Sequence, residues 1–117
     1  MQFMWVALGG GVGSLIRYIV GLALDGTRFP WATLFVNLIG AFAVGVLFTF
    51  GLGRLPTSVV TPLAVGLLGG LTTFSSFAWE SLTMVGTGSS AALYIVVTIV
   101  GGLSAAWLGR VVGVVLS

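Results

Sequence analysis

Residues 55–79 read LPTSVVTPLAVGLLGGLTTFSSFAW and contain no charged side chain. At a rise of about 1.5 Å per residue, a helix of this length exceeds the ~30 Å hydrocarbon core of a bilayer. A membrane β-strand would alternate apolar and polar positions, and this stretch does not. It therefore predicts a membrane-spanning helix. Its centre, Gly69-Gly70-Leu71-Thr72-Thr73, is poor helical sequence, because glycine and β-branched threonine both lower helix propensity.

The rest of the chain follows the same pattern. Residues 29–53 and 81–109 are also free of charge, and residues 2–24 are interrupted only by Arg17. Of 117 residues, 58% are hydrophobic and 5% charged, and the mean hydropathy is +1.24. A soluble domain carries roughly 25% charged residues. The charges here are Arg17, Arg28, Arg54 and Arg110 against Asp25 and Glu80, too few to solvate a globule of this size. In lipid the backbone must satisfy its own polar groups, so the spans are helices. The expected architecture is an all-α membrane protein, a single transmembrane domain over 1–117. Its four transmembrane helices fall at about 2–24, 31–52, 59–85 and 90–115. Asp25-Gly26-Thr27-Arg28, Gly53-Arg54-Leu55-Pro56 and Gly86-Thr87-Gly88-Ser89-Ser90 read as the turns between them. The first span lacks a basic start and reads as a mature helix, not a signal peptide.

Several function classes are excluded. The chain has no cysteine and no histidine. It has no disulfide framework and no thiolate or imidazole metal site. Glu80 is the only acid within a span, and a serine nucleophile would have no base; the chain is not read as an enzyme. It has no run of basic residues that would suggest nucleic-acid binding.

Four spans place both termini on one side, with Arg54 and Arg110; Arg17 and Arg28 lie toward the other. Counted by the positive-inside rule, this balance leaves both insertions open, and with them an antiparallel dimer. Nineteen glycines exceed the usual share of about 7%. Gly9/Gly13, Gly66/Gly70 and Gly109/Gly113 form GxxxG pairs, which let helices approach closely in a membrane. Four short helices leave little interior for a path of their own, which favours an oligomer for any conducting role.

The third span admits two readings. The glycine pair can serve close packing, with the threonine hydroxyls bonded back to their own helix. Alternatively, the helix unwinds at its centre, and its freed carbonyls hold a cation, as in discontinuous transporter helices. Phe74 and Phe77 are three apart and share a helical face. They are either packing aromatics or a pair of electropositive ring edges facing an anion. Thr72, Thr73, Ser75 and Ser76 add hydroxyls beside them. Asn37 lies mid-span in the second helix, four residues after Thr33, either as interhelical glue or as an anion donor. Ser104, Thr98 and Tyr94 give the fourth span polar atoms. Arg17 either snorkels to the interface or places positive potential at a mouth. Glu80 either faces a wet vestibule or pairs with an arginine.

Three segments resemble the Fluc (CrcB) family of fluoride channels. They are Gly9-Gly10-Gly11-Val12-Gly13-Ser14-Leu15-Ile16-Arg17-Tyr18, Thr33-Leu34-Phe35-Val36-Asn37-Leu38-Ile39-Gly40, and Gly69 to Phe77 followed by Glu80. Their order and spacing cover nearly the whole chain. The resemblance implies a dual-topology antiparallel dimer with two pores and a third helix broken mid-membrane. It also implies a structural sodium ion at the dimer centre, held by the backbone carbonyls of Gly69 and Thr72. Phe74 and Phe77 would be the pore phenylalanines, Asn37 the pore asparagine and Arg17 the vestibule arginine. Thr33, Ser76, Glu80 and Ser104 would lie on or near the polar track. Ser76 stands where threonine is common in the family.

The function so implied is fluoride-selective passive export from the cytoplasm, across the inner membrane of a prokaryote. The partners would be the bilayer and a second copy, or a paralogue in a heterodimer. One alternative is a small four-helix proton-coupled multidrug exporter. Such exporters use a first-helix carboxylate, and here that helix has Arg17 and no acid. The other is a glycine-packed structural subunit, which leaves the polar, aromatic centre of the third span unexplained.

Overall fold

The structure is a computed structural model and describes residues 1–86 and 90–117; residues 87–89 of the third expected turn lie outside the described residues. Among the described residues, four helices are long and apolar enough to cross a membrane: α1 (Gln2–Ala23), α2 (Trp31–Gly51), α3 (Thr57–Met84) and α4 (Ala91–Leu116). No strand element occurs among the described residues. The turn after α1 is closed by Asp25, whose Oδ1 accepts from the Gly26 N–H at 2.9 Å. Gly26 and Gly53 adopt φ of +85° and +86°, which a side chain would resist.

The helices form two close pairs. α1 lies along residues 57–71 of α3, and α2 lies along α4. Glycine makes both seams. A Cβ on Gly13 would strike the Leu67 carbonyl, and one on Gly70 the Gly10 carbonyl. A Cβ on Gly9 would stand 2.9 Å from the Pro62 carbonyl, and one on Gly66 2.7 Å from that of Val6. The Gly9/Gly13 and Gly66/Gly70 pairs thus interlock. In the second seam Gly109 faces the Phe42 carbonyl, Gly45 faces that of Ala106, and Gly113 meets the Thr49 side chain. With no hydrophobic drive between helices in lipid, such close van der Waals approach is what holds them together.

α3 is irregular along its length. Pro62 sits inside it and cannot donate, and hydrogen bonding widens to the π-helical pattern over Pro62–Leu68. The regular turn Gly69–Leu71 follows. Thr72 and Thr73 are then extended, with φ/ψ of −86°/153° and −149°/116°, before the helix resumes at Phe74–Met84. The glycine pair itself stays helical. After the two threonines the chain changes neighbours: Phe74–Met84 packs on α4 and α2 instead of α1.

The buried core is small: Leu34, Phe77, Met84, Ala91 and Tyr94 cluster together. Elsewhere large apolar side chains such as Phe3, Leu15, Leu22, Trp79 and Leu103 face outward, as a lipid-embedded surface requires. At one end of the bundle Arg54 donates to the backbone oxygen of Ser117 at 3.1 Å. Asp25, Arg28, Thr33 and Glu80 gather at the other end around a cavity of about 310 Å³.

Candidate functional site

The site is organised by Thr72 and Thr73. In an uninterrupted helix the Thr73 N–H would donate to the Gly69 carbonyl, and the Ser76 N–H to that of Thr72. Neither bond forms. The Thr73 N–H donates to Asn37 Oδ1 at 2.7 Å, and the Thr73 carbonyl accepts from Asn37 Nδ2 at 3.1 Å. The Ser76 N–H donates to Thr73 Oγ1 at 3.1 Å, so Thr73 caps the second part of α3. Gly69 and Thr72 therefore keep carbonyls deprived of their helical donors. The intervening Gly70 carbonyl accepts from Arg17 Nε at 3.0 Å.

Phe74 and Phe77 open the second part of α3. Their centroids are 5.7 Å apart with planes at 61°, an edge-directed pair. They differ in setting. Phe77 is 8% exposed and stands edge-to-face with Tyr94 at 5.3 Å, whereas Phe74 is 79% exposed on the single chain. A groove of about 560 Å³ runs past Asn37, Thr72, Thr73, Phe74, Phe77 and Thr98. Asn37 spends one amide hydrogen on Thr73, and the second remains available to the groove.

The other residues singled out in the sequence fall at two levels. Thr33 Oγ1 donates to Glu80 Oε1 at 2.6 Å, joining α2 to α3 in the end cavity. Ser76 Oγ accepts from Thr73 Oγ1 at 3.2 Å, close to the phenylalanines. Arg17 does not snorkel outward; its guanidinium turns to the centre of α3. Ser104 is exposed and lines neither the groove nor the end cavity. On the same helix Thr98 does line the groove. Helical geometry explains the difference: six residues at ~100° each turn Ser104 by roughly a third of a circle from Thr98. Tyr94 lies one turn from Thr98 on the same face, and that i, i+4 spacing was the available signal. Tyr94 Oη and Thr98 Oγ1 are buried and have no hydrogen-bond partner among the described residues. Buried hydroxyls in that state call for a ligand, a water or a second chain.

Fold and site together define a small multi-pass membrane protein whose polar, aromatic strip lies at the middle of its spans and opens on one side of a single chain. Residues 4–110 match the family described as "CrcB-like protein, Camphor Resistance (CrcB)", and the chain belongs to that family. It is 44% identical over 115 residues to "Fluoride-specific ion channel FluC 2" of Moorella thermoacetica, covering 93% of each chain. It is 42% identical to "Fluoride-specific ion channel FluC" of Magnetococcus marinus, over 97% of this chain and 98% of the relative. A FluC of Thermus thermophilus is likewise 42% identical, over 96% of this chain and 94% of the relative.

Proposed function

We propose that this chain forms a fluoride-selective channel in the inner membrane of a prokaryote, not an enzyme, and that the working unit is an antiparallel, dual-topology dimer exporting cytoplasmic fluoride. The carrying observation is the edge-directed pair Phe74 and Phe77 beside Asn37 and the orphan hydroxyl of Thr98. Relatives named as fluoride-specific channels, alike over nearly the whole chain, support the same reading.

Fluoride must exchange a tight hydration shell for donors of comparable reach. Hydroxyls at Ser76 and Thr98, the free amide hydrogen of Asn37 and the positive ring edges of the phenylalanines supply them without a full charge that would trap the ion, while Thr33, its hydrogen held by Glu80, stands beside the track. Arg17 adds positive potential that draws anions inward. Export needs no chemical energy, since moving one charge across the membrane is worth about 2.3 kcal/mol per 100 mV. Ser104, on the exposed side of α4, reaches such a track only through a second copy.

The extended pair Thr72–Thr73 is read as a mid-membrane break in α3. The donor set there suits sodium: Gly69 and Thr72 offer neutral backbone oxygens deprived of helical donors, and unwound carbonyls in membranes coordinate such cations. Gly69 and Thr72 of one chain make half of such a shell, and a second copy completes it. When bound, sodium supplies positive charge that joins the two breaks. The exposed Phe74 and the open groove point to the same partner, a second copy or a paralogue.

The test is reconstitution in liposomes with efflux followed by a fluoride electrode. Rapid loss of fluoride over chloride, reduced by Phe74→Ile, is the expected outcome. Folded protein that passes no fluoride would overturn the reading. Proton-driven uptake of an organic cation would indicate an exporter, and no transport at all a structural subunit.

A further inference from the structure

Arg17 takes a position that a mouth-lining charge does not require. From α1, its Nε donates at 3.0 Å to the Gly70 carbonyl, which lies between the two carbonyls read as cation ligands. In an uninterrupted helix Gly70 would be served by the Phe74 N–H. Once Thr72 and Thr73 are extended, that partner is out of register. Of the four carbonyls from Gly69 to Thr72, only that of Gly70 receives a side-chain donor among the described residues. The same stretch is seated on α1 by glycine: Gly13 abuts Leu67 and Leu71 backbone atoms, and Gly70 abuts Gly10. Asn37 grips Thr73 from α2 on the opposite side.

We infer that Arg17 is a positioning residue. It fastens the start of the break to α1 and withdraws the Gly70 carbonyl from coordination, which leaves the carbonyls of Gly69, Leu71 and Thr72 without a side-chain donor among the described residues, those of Gly69 and Thr72 being the ones read as cation ligands. The assignment deepens the sodium reading above and rests on it. Its physical basis is that an unpaired carbonyl at membrane depth must find a donor. A guanidinium N–H held by packing supplies that donor at fixed geometry. The role belongs to the N–H at the fourth side-chain atom from Cα, not to the charge.

Side-chain length separates the two roles. In Arg17→Gln the amide N–H stands the same number of bonds from Cα as Arg17 Nε, without charge. Arg17→Met fills the same space with no donor. Arg17→Lys keeps the charge but places its nitrogen one bond further out. The measurement is hydrogen–deuterium exchange of the amides at residues 72–76 in the reconstituted assembly, titrated with sodium against N-methylglucamine and run beside fluoride efflux. Arg17→Gln is expected to keep wild-type exchange and to need no more sodium than wild type, because a positive charge beside a cation opposes its binding. Arg17→Met is expected to exchange faster and to need about tenfold more sodium, the factor that one net hydrogen bond supports. The proposal is overturned if Arg17→Met matches wild type, if Arg17→Gln fails as Arg17→Met does, by misfolding included, or if Arg17→Lys alone is preserved. A wild type indifferent to sodium, with Arg17→Gln still protected and Arg17→Met not, overturns the cation reading and upholds the anchor.

Discussion

Asn37 and Thr73 exchange two hydrogen bonds, at 2.7 and 3.1 Å, so that one side-chain amide from α2 serves both the N–H and the carbonyl of a single residue in α3. This exchange keeps Thr73 extended at membrane depth without leaving its N–H or its carbonyl unpaired. It also deprives Gly69 of its helical donor.

Replacing Asn37 with Ala removes both bonds. The Thr73 N–H is left stranded, which in a low-dielectric setting costs about 1–3 kcal/mol. The Asn37→Ala protein is expected to lose stability in that range and to lose most fluoride flux. Asn37→Asp, which keeps the acceptor for the Thr73 N–H, is expected to lose less stability. Denaturant titration in detergent beside liposome efflux measures both; equal stability of Asn37→Ala and wild type would remove Asn37 from this role.

Phe74 and Phe77 are expected to separate by stability. Phe77 is packed against Tyr94 within its own chain, so Phe77→Ala costs about 3–5 kcal/mol. Phe74 is exposed on the single chain, so Phe74→Ala changes the stability of a separated subunit by under about 0.5 kcal/mol. Both substitutions lower fluoride efflux. Thermal unfolding of each variant, compared with its flux, reads the difference; similar losses of stability would contradict the assignment.

Thr33→Val deletes the hydroxyl that donates to Glu80 and leaves the carboxyl oxygen short of a partner, a loss of about 1–3 kcal/mol. Thr33→Ser restores the donor and is expected to recover stability and flux together. A Thr33→Ser protein as impaired as Thr33→Val would show that the methyl group matters and the hydrogen bond does not.

Gly102 and Gly109 lie on one helix and predict opposite behaviour. A side chain at Gly109 meets the Phe42 carbonyl, and Gly109→Val is expected to loosen the α2–α4 seam by about 1–3 kcal/mol. A Cβ at Gly102 meets nothing within 4 Å in its own chain, yet Gly102 lines the groove that faces Phe74. Gly102→Trp is expected to leave the subunit folded and to shift the assembly toward monomer, read by subunit counting in liposomes. Dimers undiminished by Gly102→Trp would place the partner on another face.

Much of this is legible in the sequence. Charge-free stretches longer than a bilayer leave only helices as the solution, because each helix satisfies its backbone within itself. The three GxxxG pairs announced close packing, and the structure seats each one against backbone or side-chain atoms of a neighbouring helix. Asn37 and Thr33 are legible as polar groups at membrane depth, and Phe74 and Phe77 as a pair of rings three apart on one helical face. Residue type alone points to Ser104, whereas the groove is lined according to rotation about α4, which presents Thr98 to it.

Span count, helix type and the weak point in α3 are local properties, settled by runs of residues adjacent in the chain. Which carbonyls open at that weak point is not local. It depends on Asn37 arriving from α2 and Arg17 from α1, residues 36 and 53 positions away from their partners. Poor helix formers at 69–73 lower the cost of an interruption, but they do not say which peptide turns. Packing brought an amide to Thr73 and a guanidinium to Gly70. The carbonyls they leave deprived, at Gly69 and Thr72, are defined by that arrangement of three helices and not by any one of them.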